Sequence, residues 1–297
     1  MATLYTAQDS NVRRTWLLMA GFLVVVVSLG WFISYYYNNP VILYMAVIFS
    51  LVMNFASYWW SDKIALSLNG AKEVSREENL ELHRLVENLA ITAGLPKPRV
   101  YVIEDQAPNA FATGRDKNHA AVAVTRGLLN LLDKNELEGV IAHELAHIGN
   151  RDILLQTVVV VLVGFVAIIS DMFVRASFFG GGRDRDRGGN LLAIVGVVFV
   201  ILSPIIATLI QLAISRRREF LADASGALLT RYPEGLAGAL QKISGYGAPL
   251  KRANNATAHM FIANPFGAKA VRGVSKLFMT HPPTEERIKA LIGKNVE

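Results

Sequence analysis

His143-Glu144-Leu145-Ala146-His147 sets two imidazoles four residues apart with a carboxylate between them. On an α-helix, residues four apart share a face, so both rings can ligate one metal ion while Glu144 reaches a water on that ion. A catalytic zinc wants three protein ligands and one open position. The chain has no cysteine, which excludes thiol catalysis, disulfides and thiolate metal sites, and leaves His, Asp or Glu as the third ligand. Far downstream, Arg216-Arg217-Arg218-Glu219-Phe220-Leu221-Ala222-Asp223 offers two carboxylates one helical turn apart. Glu219 is assigned as the third ligand. Asp223 is assigned as the carboxylate behind a ligand histidine, where it would fix the tautomer and raise ligand basicity. With Glu144 as general base and one zinc ion as cofactor, the pattern reads as a hydrolase.

The helix carrying His143 and His147 is predicted from Asn135 to about Asn150, opened by Asp133-Lys134-Asn135-Glu136. A second capping box, Ser75-Arg76-Glu77-Glu78, opens a helix with Leu82, Leu85, Val86 and Leu89 on its apolar face, ending at Gly94-Leu95-Pro96. Residues 99–104 and 120–125 read as strands. Residues 233–245 and 283–293 read as helices with proline in the first turn, and 247–280 has no clear period. The class is α+β, mainly α. The strand at 120–125 is expected at an exposed sheet edge, where Ala121, Val122 and Ala123 would offer main-chain hydrogen bonds to an extended substrate.

These elements must sit on a membrane. The chain of 297 residues is 52% hydrophobic and only 18% charged, against about 25% charged in soluble domains. Four apolar runs, at 16–37, 41–60, 153–174 and 191–214, reach the roughly 20 residues that span a bilayer. Aromatic residues cluster at the ends of the first two, as in an interfacial belt. Two Lys or Arg precede the first run, 11 lie in 61–152 and 13 in 215–297. The positive-inside rule therefore puts the amino terminus and both polar regions in the cytoplasm. The loop 175–190 objects, with four Arg against two Asp in a Gly-rich setting. One ion can join His147 to Glu219 only if the third and fourth runs form a hairpin returning to the same side. The expected organisation is a membrane hairpin (1–60), the first catalytic part (61–152), a second membrane hairpin (153–214) and the second catalytic part (215–297). The net charge of +6 sits at membrane flanks, and no basic-aromatic platform for nucleic acid appears.

His143-Glu144-Leu145-Ala146-His147-Ile148-Gly149-Asn150-Arg151-Asp152, followed by Arg216-Arg217-Arg218-Glu219-Phe220-Leu221-Ala222-Asp223-Ala224 and preceded by two hydrophobic runs, resembles the HtpX-type membrane zinc metalloproteases. These are relatives of the CAAX prenyl proteases and of a group of mitochondrial peptidases. Asn109-Ala110-Phe111-Ala112-Thr113-Gly114 is similar to the family's segment before the edge strand, and His281-Pro282-Pro283 with Arg287 to its carboxy-terminal motif. The resemblance implies a gluzincin-type domain combined with four transmembrane or membrane-embedded helices. It also implies a multi-pass protein of the bacterial or archaeal inner membrane. Its cytoplasmic active site would act as an endopeptidase on misfolded membrane proteins. Residue by residue it implies His143, His147 and Glu219 as zinc ligands, Glu144 as base, Asp223 as the outer carboxylate and His281 as an oxyanion-stabilising residue. His259 is a second candidate for that last role. Asn109 joins the expected substrate-binding strand. A processing protease of CAAX type and a non-catalytic metal-binding scaffold or transporter are the alternatives; a scaffold has no chemical need for Glu144.

Overall fold

The computed structural model describes residues 4–179, 215–267 and 282–293. The expected fourth apolar run, the Gly- and Arg-rich stretch before it and His281 lie outside these residues. The first two runs form α1 (Leu4–Tyr36) and α2 (Pro40–Trp59). Without water, a backbone must satisfy its own hydrogen bonds, which an uninterrupted apolar helix does. The break between them is chemical. Asn38 takes a left-handed φ of 48°, and Asn39 caps α2 by accepting from the Val41 amide at 3.1 Å, with Pro40 at the first helical position. The two helices close tightly at Gly30, where a Cβ would stand 2.3 Å from the Cβ of Ala46. Outward faces leave Val24, Trp31, Tyr44, Ile48 and Phe55 exposed. Residues Gln8–Tyr36 and Pro40–Trp59 are long and apolar enough to cross a membrane.

A short α3 (Ser61–Leu68) leads to β1 (Ala71–Glu73). Ser75 and Glu78 do exchange capping-box hydrogen bonds, at 2.7 and 3.3 Å, but they close a turn. The helix itself, α4 (Leu80–Thr92), starts at Asn79, whose side chain accepts from the Leu82 amide. Then come β2 (Arg99–Ile103), β3 (Ala110–Gly114), β4 (Ala120–Thr125), α5 (Arg126–Leu131) and α6 (Lys134–Gly149). The Asp133–Glu136 box caps α6 with both reciprocal bonds made. The remaining described helices are α7 (Asp152–Phe179), α8 (Arg216–Thr230), α9 (Pro233–Gly245) and α10 (Thr284–Ile292).

The sheet order is β1-β2-β4-β3, with β2 and β4 parallel and the outer pairs antiparallel. Alternation sends Tyr101, Ile103, Phe111, Ala121 and Ala123 to one face, packed on α1, α3 and α7. Val100, Val102, Ala112, Val122 and Val124 go to the other, with α4, α6 and α9. Strand β4 is thus central, paired on both sides and buried throughout. The expected exposed edge at Ala121, Val122 and Ala123 is corrected: those backbone groups already serve the sheet. The edge strands are β1 and β3; β3, next to β4, is also buried, and its sequence of small residues carries little strand propensity. The third apolar run also differs from a lipid-facing span over its first part. Residues 153–163 of α7 are buried against protein, and α7 meets α6 at an 84° bend. An unbroken apolar run has the same composition in a core as in lipid, so the sequence alone cannot separate the two.

Candidate active site

Helix α6 lies on the sheet, and its buried face carries His143, Glu144 and His147. Helix α8 crosses it closely enough that a Cβ on Gly226 would stand 2.9 Å from the His143 amide nitrogen. That approach brings Glu219 and Asp223 to the two histidines. His143 Nε2 is 3.1 Å from His147 Nε2, and the Glu219 carboxylate lies 3.8 Å from the first and 3.7 Å from the second. Two ligands about 2.1 Å from a tetrahedral ion stand roughly 3.4 Å apart, so these separations bracket that spacing. All three side chains are buried.

Each ring is oriented from behind. Asp223 Oδ1 is 2.9 Å from His143 Nδ1. Asp152 Oδ2 is 3.0 Å from His147 Nδ1. A carboxylate behind Nδ1 turns Nε2 toward the front, and here both Nε2 atoms converge on one point beside Glu219. This donor set fits a divalent cation and has no need of sulfur. Asp223 is itself clamped by Arg287, which donates from Nε at 2.8 Å and Nη2 at 2.6 Å, while Nη1 donates to the Ile262 carbonyl at 3.1 Å. Burial opposes the Asp223 charge, but this guanidinium outweighs it and holds the carboxyl at about 2.

The remaining shifts follow from burial and neighbours. Burial lowers His143 to about 4 against the pull of Asp223. Burial also opposes a charged His147, but the carboxylates of Asp152, Glu219 and Glu144 lift it to about 9. Burial raises Glu144 to about 7, near the pH at which a base works best. The backbone of Ala112 on β3 and the neighbouring His147 pull the other way, toward the carboxylate. Glu144 Oε2 has no hydrogen-bond partner among the described residues, which leaves one oxygen for chemistry.

Of the expected site residues, His143, Glu144, His147, Glu219 and Asp223 come together. Asn109 does not present a free side chain: its amide bonds both ways with the Ala263 backbone, at 3.0 and 3.2 Å. It fastens β3 to residues 262–263, as does the Ile262 amide on the Ala110 carbonyl. His259 is buried, with Nε2 3.0 Å from the Gln156 carbonyl. Asp152 has a role that sequence reasoning missed. Its signal was the polar break Asn150-Arg151-Asp152 between a helix and an apolar run, which places a carboxylate at the turn beside His147. Arg287 was noticed as a motif residue, without its partner.

Residues 76–294 match peptidase family M48. Relatives named protease HtpX homolog are 47% identical over 295 residues in Thermoanaerobacter pseudethanolicus, covering 97% of each chain, and 52% identical over 283 residues in Pyrococcus furiosus, covering 94% of each. The crystal structure of S. mikatae Ste24p has a similar fold at a TM-score of 0.50 and 18% identity, covering 97% of this chain and 67% of that one. From the family match and these near full-length relatives it follows that the chain belongs to peptidase family M48, among its HtpX-type members, and is a membrane-embedded metallopeptidase.

Proposed function

We propose that the bound ion is zinc, that His143, His147 and Glu219 hold it, and that the chain is a gluzincin-type endopeptidase acting on unfolded or damaged membrane proteins. The observation that carries this is the convergence of two imidazole Nε2 atoms and a buried carboxylate beside the open oxygen of Glu144. When bound, the ion supplies Lewis acidity toward a water molecule and toward the carbonyl of the scissile peptide. Glu144 takes the proton of the attacking water at Oε2 and returns it to the departing amine. Asp223 and Asp152 keep both ligand rings in the tautomer that frees Nε2. Arg287 keeps Asp223 ionised for that task. Strand β3 is the strand a substrate would extend beyond Ala110, because of the two edge strands it is the one whose backbone, at Ala112, acts on Glu144. Such pairing reads backbone more than side chain, which suits substrates with no fixed sequence. The same reading covers the organisation: a membrane hairpin in 1–60, catalytic parts in 61–152 and 215–297, and a second membrane-embedded pair in 153–214. The 11 and 13 Lys and Arg of the two catalytic parts, counted as the positive-inside rule counts them, support a cytoplasmic site.

The test is cleavage of an unfolded membrane protein by detergent-purified chain, comparing wild type with Glu144→Gln at equal zinc content. Loss of the base should lower kcat by about 10²- to 10⁴-fold while zinc stays bound. Equal cleavage by both would overturn the assignment.

A further inference from the structure

The two ligand histidines are held by different means. Behind His143 stands Asp223, clamped by a guanidinium. Behind His147 stands Asp152, whose Oδ2 faces the ring while Oδ1 accepts a 2.5 Å hydrogen bond from Asn11 Nδ2. Arg218 Nε is more distant, at 3.6 Å from Oδ1. Asn11 belongs to α1, in the first turn of the stretch Gln8–Tyr36 that is long and apolar enough to cross a membrane. It is 4% exposed.

The contact belongs to a seam. A helix leaves its last carbonyls without internal partners. At the end of α6 two of these are taken by α1: Gln8 Nε2 donates to the Gly149 carbonyl at 2.7 Å, and Asn11 Nδ2 to the Asn150 carbonyl at 3.1 Å. The chain then turns sharply through Arg151, at φ 57°, into Asp152. The first turns of α1 therefore close the junction at which the His147 helix ends and its supporting carboxylate begins. Burying an amide at a membrane-helix terminus is costly unless the amide is bonded. Asn11 meets that cost with two acceptors on the metal-site helices.

We propose that Asn11 is a positioning residue of the metal centre. It fixes the Asp152 carboxylate in the orientation that holds His147, and the first membrane helix is thereby a working part of the active site as well as its anchor. A neutral amide suits the task, because it orients Asp152 without neutralising the charge that Asp152 presents to the ring. The inference rests on the reading of His147 as a ligand.

The test uses the full chain in detergent micelles loaded with cobalt(II), read by its visible absorption and by the rate of metal loss to excess chelator. Asn11→Leu removes the donor. Asn11→Ser also cannot reach Asp152 but keeps the helix surface polar, so it serves if the leucine variant fails to fold. Gln8→Leu removes a neighbouring cap, the hydrogen bond to the Gly149 carbonyl. Partners one step behind a ligand typically change metal affinity by about 10- to 100-fold, so a residue two steps behind should speed metal loss by about threefold to tenfold. A shifted cobalt band should accompany this in both Asn11 variants, with Gln8→Leu behaving as wild type. In an Asp152→Asn background, Asn11→Ser should add nothing. Wild-type retention in the Asn11 variants, equal losses with Gln8→Leu, or a full additional loss in the Asp152→Asn background would each overturn the proposal. If the wild-type chain takes up no cobalt, the ligand assignment itself fails, and this inference with it.

Discussion

His143 and His147 share a helix face and a purpose, yet they titrate in opposite directions. With burial holding His143 at about 4, its ring is neutral at pH 7 and ready to bind. The three carboxylates that lift His147 to about 9 leave a proton on that ring at the same pH. An incoming ion must displace it. The folded value lies above neutrality, so proton competition is greatest at low pH and fades as pH rises through about 9. Metal affinity should therefore increase by about tenfold per pH unit between 7 and 9, with one proton released per ion. Calorimetric titration in two buffers of different ionisation enthalpy measures that proton directly. A constant affinity across the range would show that His147 does not carry it. This coupling was hidden in the sequence, because two of the three responsible carboxylates lie outside the five-residue motif.

At the scale of elements, the site depends on how closely α8 crosses α6. Gly226 permits the crossing, since a Cβ there would press on the His143 nitrogen at 2.9 Å and on the Ala142 carbonyl carbon at 3.2 Å. Neither backbone atom can give without moving the ligand helix. Gly226→Ala should cost about 1–3 kcal/mol of stability by overpacking and shift Glu219 and Asp223 away from the histidines. Thermal unfolding together with bound-metal content would check both, and an alanine variant with full stability and full metal would refute the close-packing argument. The helices themselves were legible: caps at Asp133 and prolines at 233 and 283 locate α6, α9 and α10 to within about a residue or two. The strands were less so. The run 120–125 was correctly placed as β4, but its position in the sheet was not. An alternating strand of small and β-branched residues looks the same at an edge and in a centre buried on both faces.

For the whole molecule, one ion would join segments that the chain separates by the entire stretch 153–214. An ion held between α6 and α8 stabilises the folded state by mass action, about 2.7 kcal/mol at a hundredfold excess over Kd. Chelation should lower the unfolding temperature and readdition should restore it. An unchanged transition would mean that the two helices hold together without the ion. The membrane helices join the same body. Leu18, Met19 and Phe22 of α1 continue into the core that holds Phe111, Leu155 and Phe261. At the end of α2, the Arg115 guanidinium stands 4.7 Å over the Trp59 ring, tying the loop after β3 to the hairpin.

The sequence by itself determined the chemistry. His143, Glu144 and His147 share a face because a helix repeats every 3.6 residues. Glu219 and Asp223 share one for the same reason, and the absence of cysteine narrows the donors to nitrogen and oxygen. It also pointed to a membrane, through two uncharged runs of about 20 residues with aromatic residues clustered at their ends. Tertiary structure decided everything set by contact between distant segments. It put Asp152 and Asn11 behind one histidine and Arg287 behind the other's carboxylate, moved the sheet edge from β4 to β3, and buried the first part of α7 in protein. Local periodicity specifies which side chains share a surface. Only packing specifies which surface they meet.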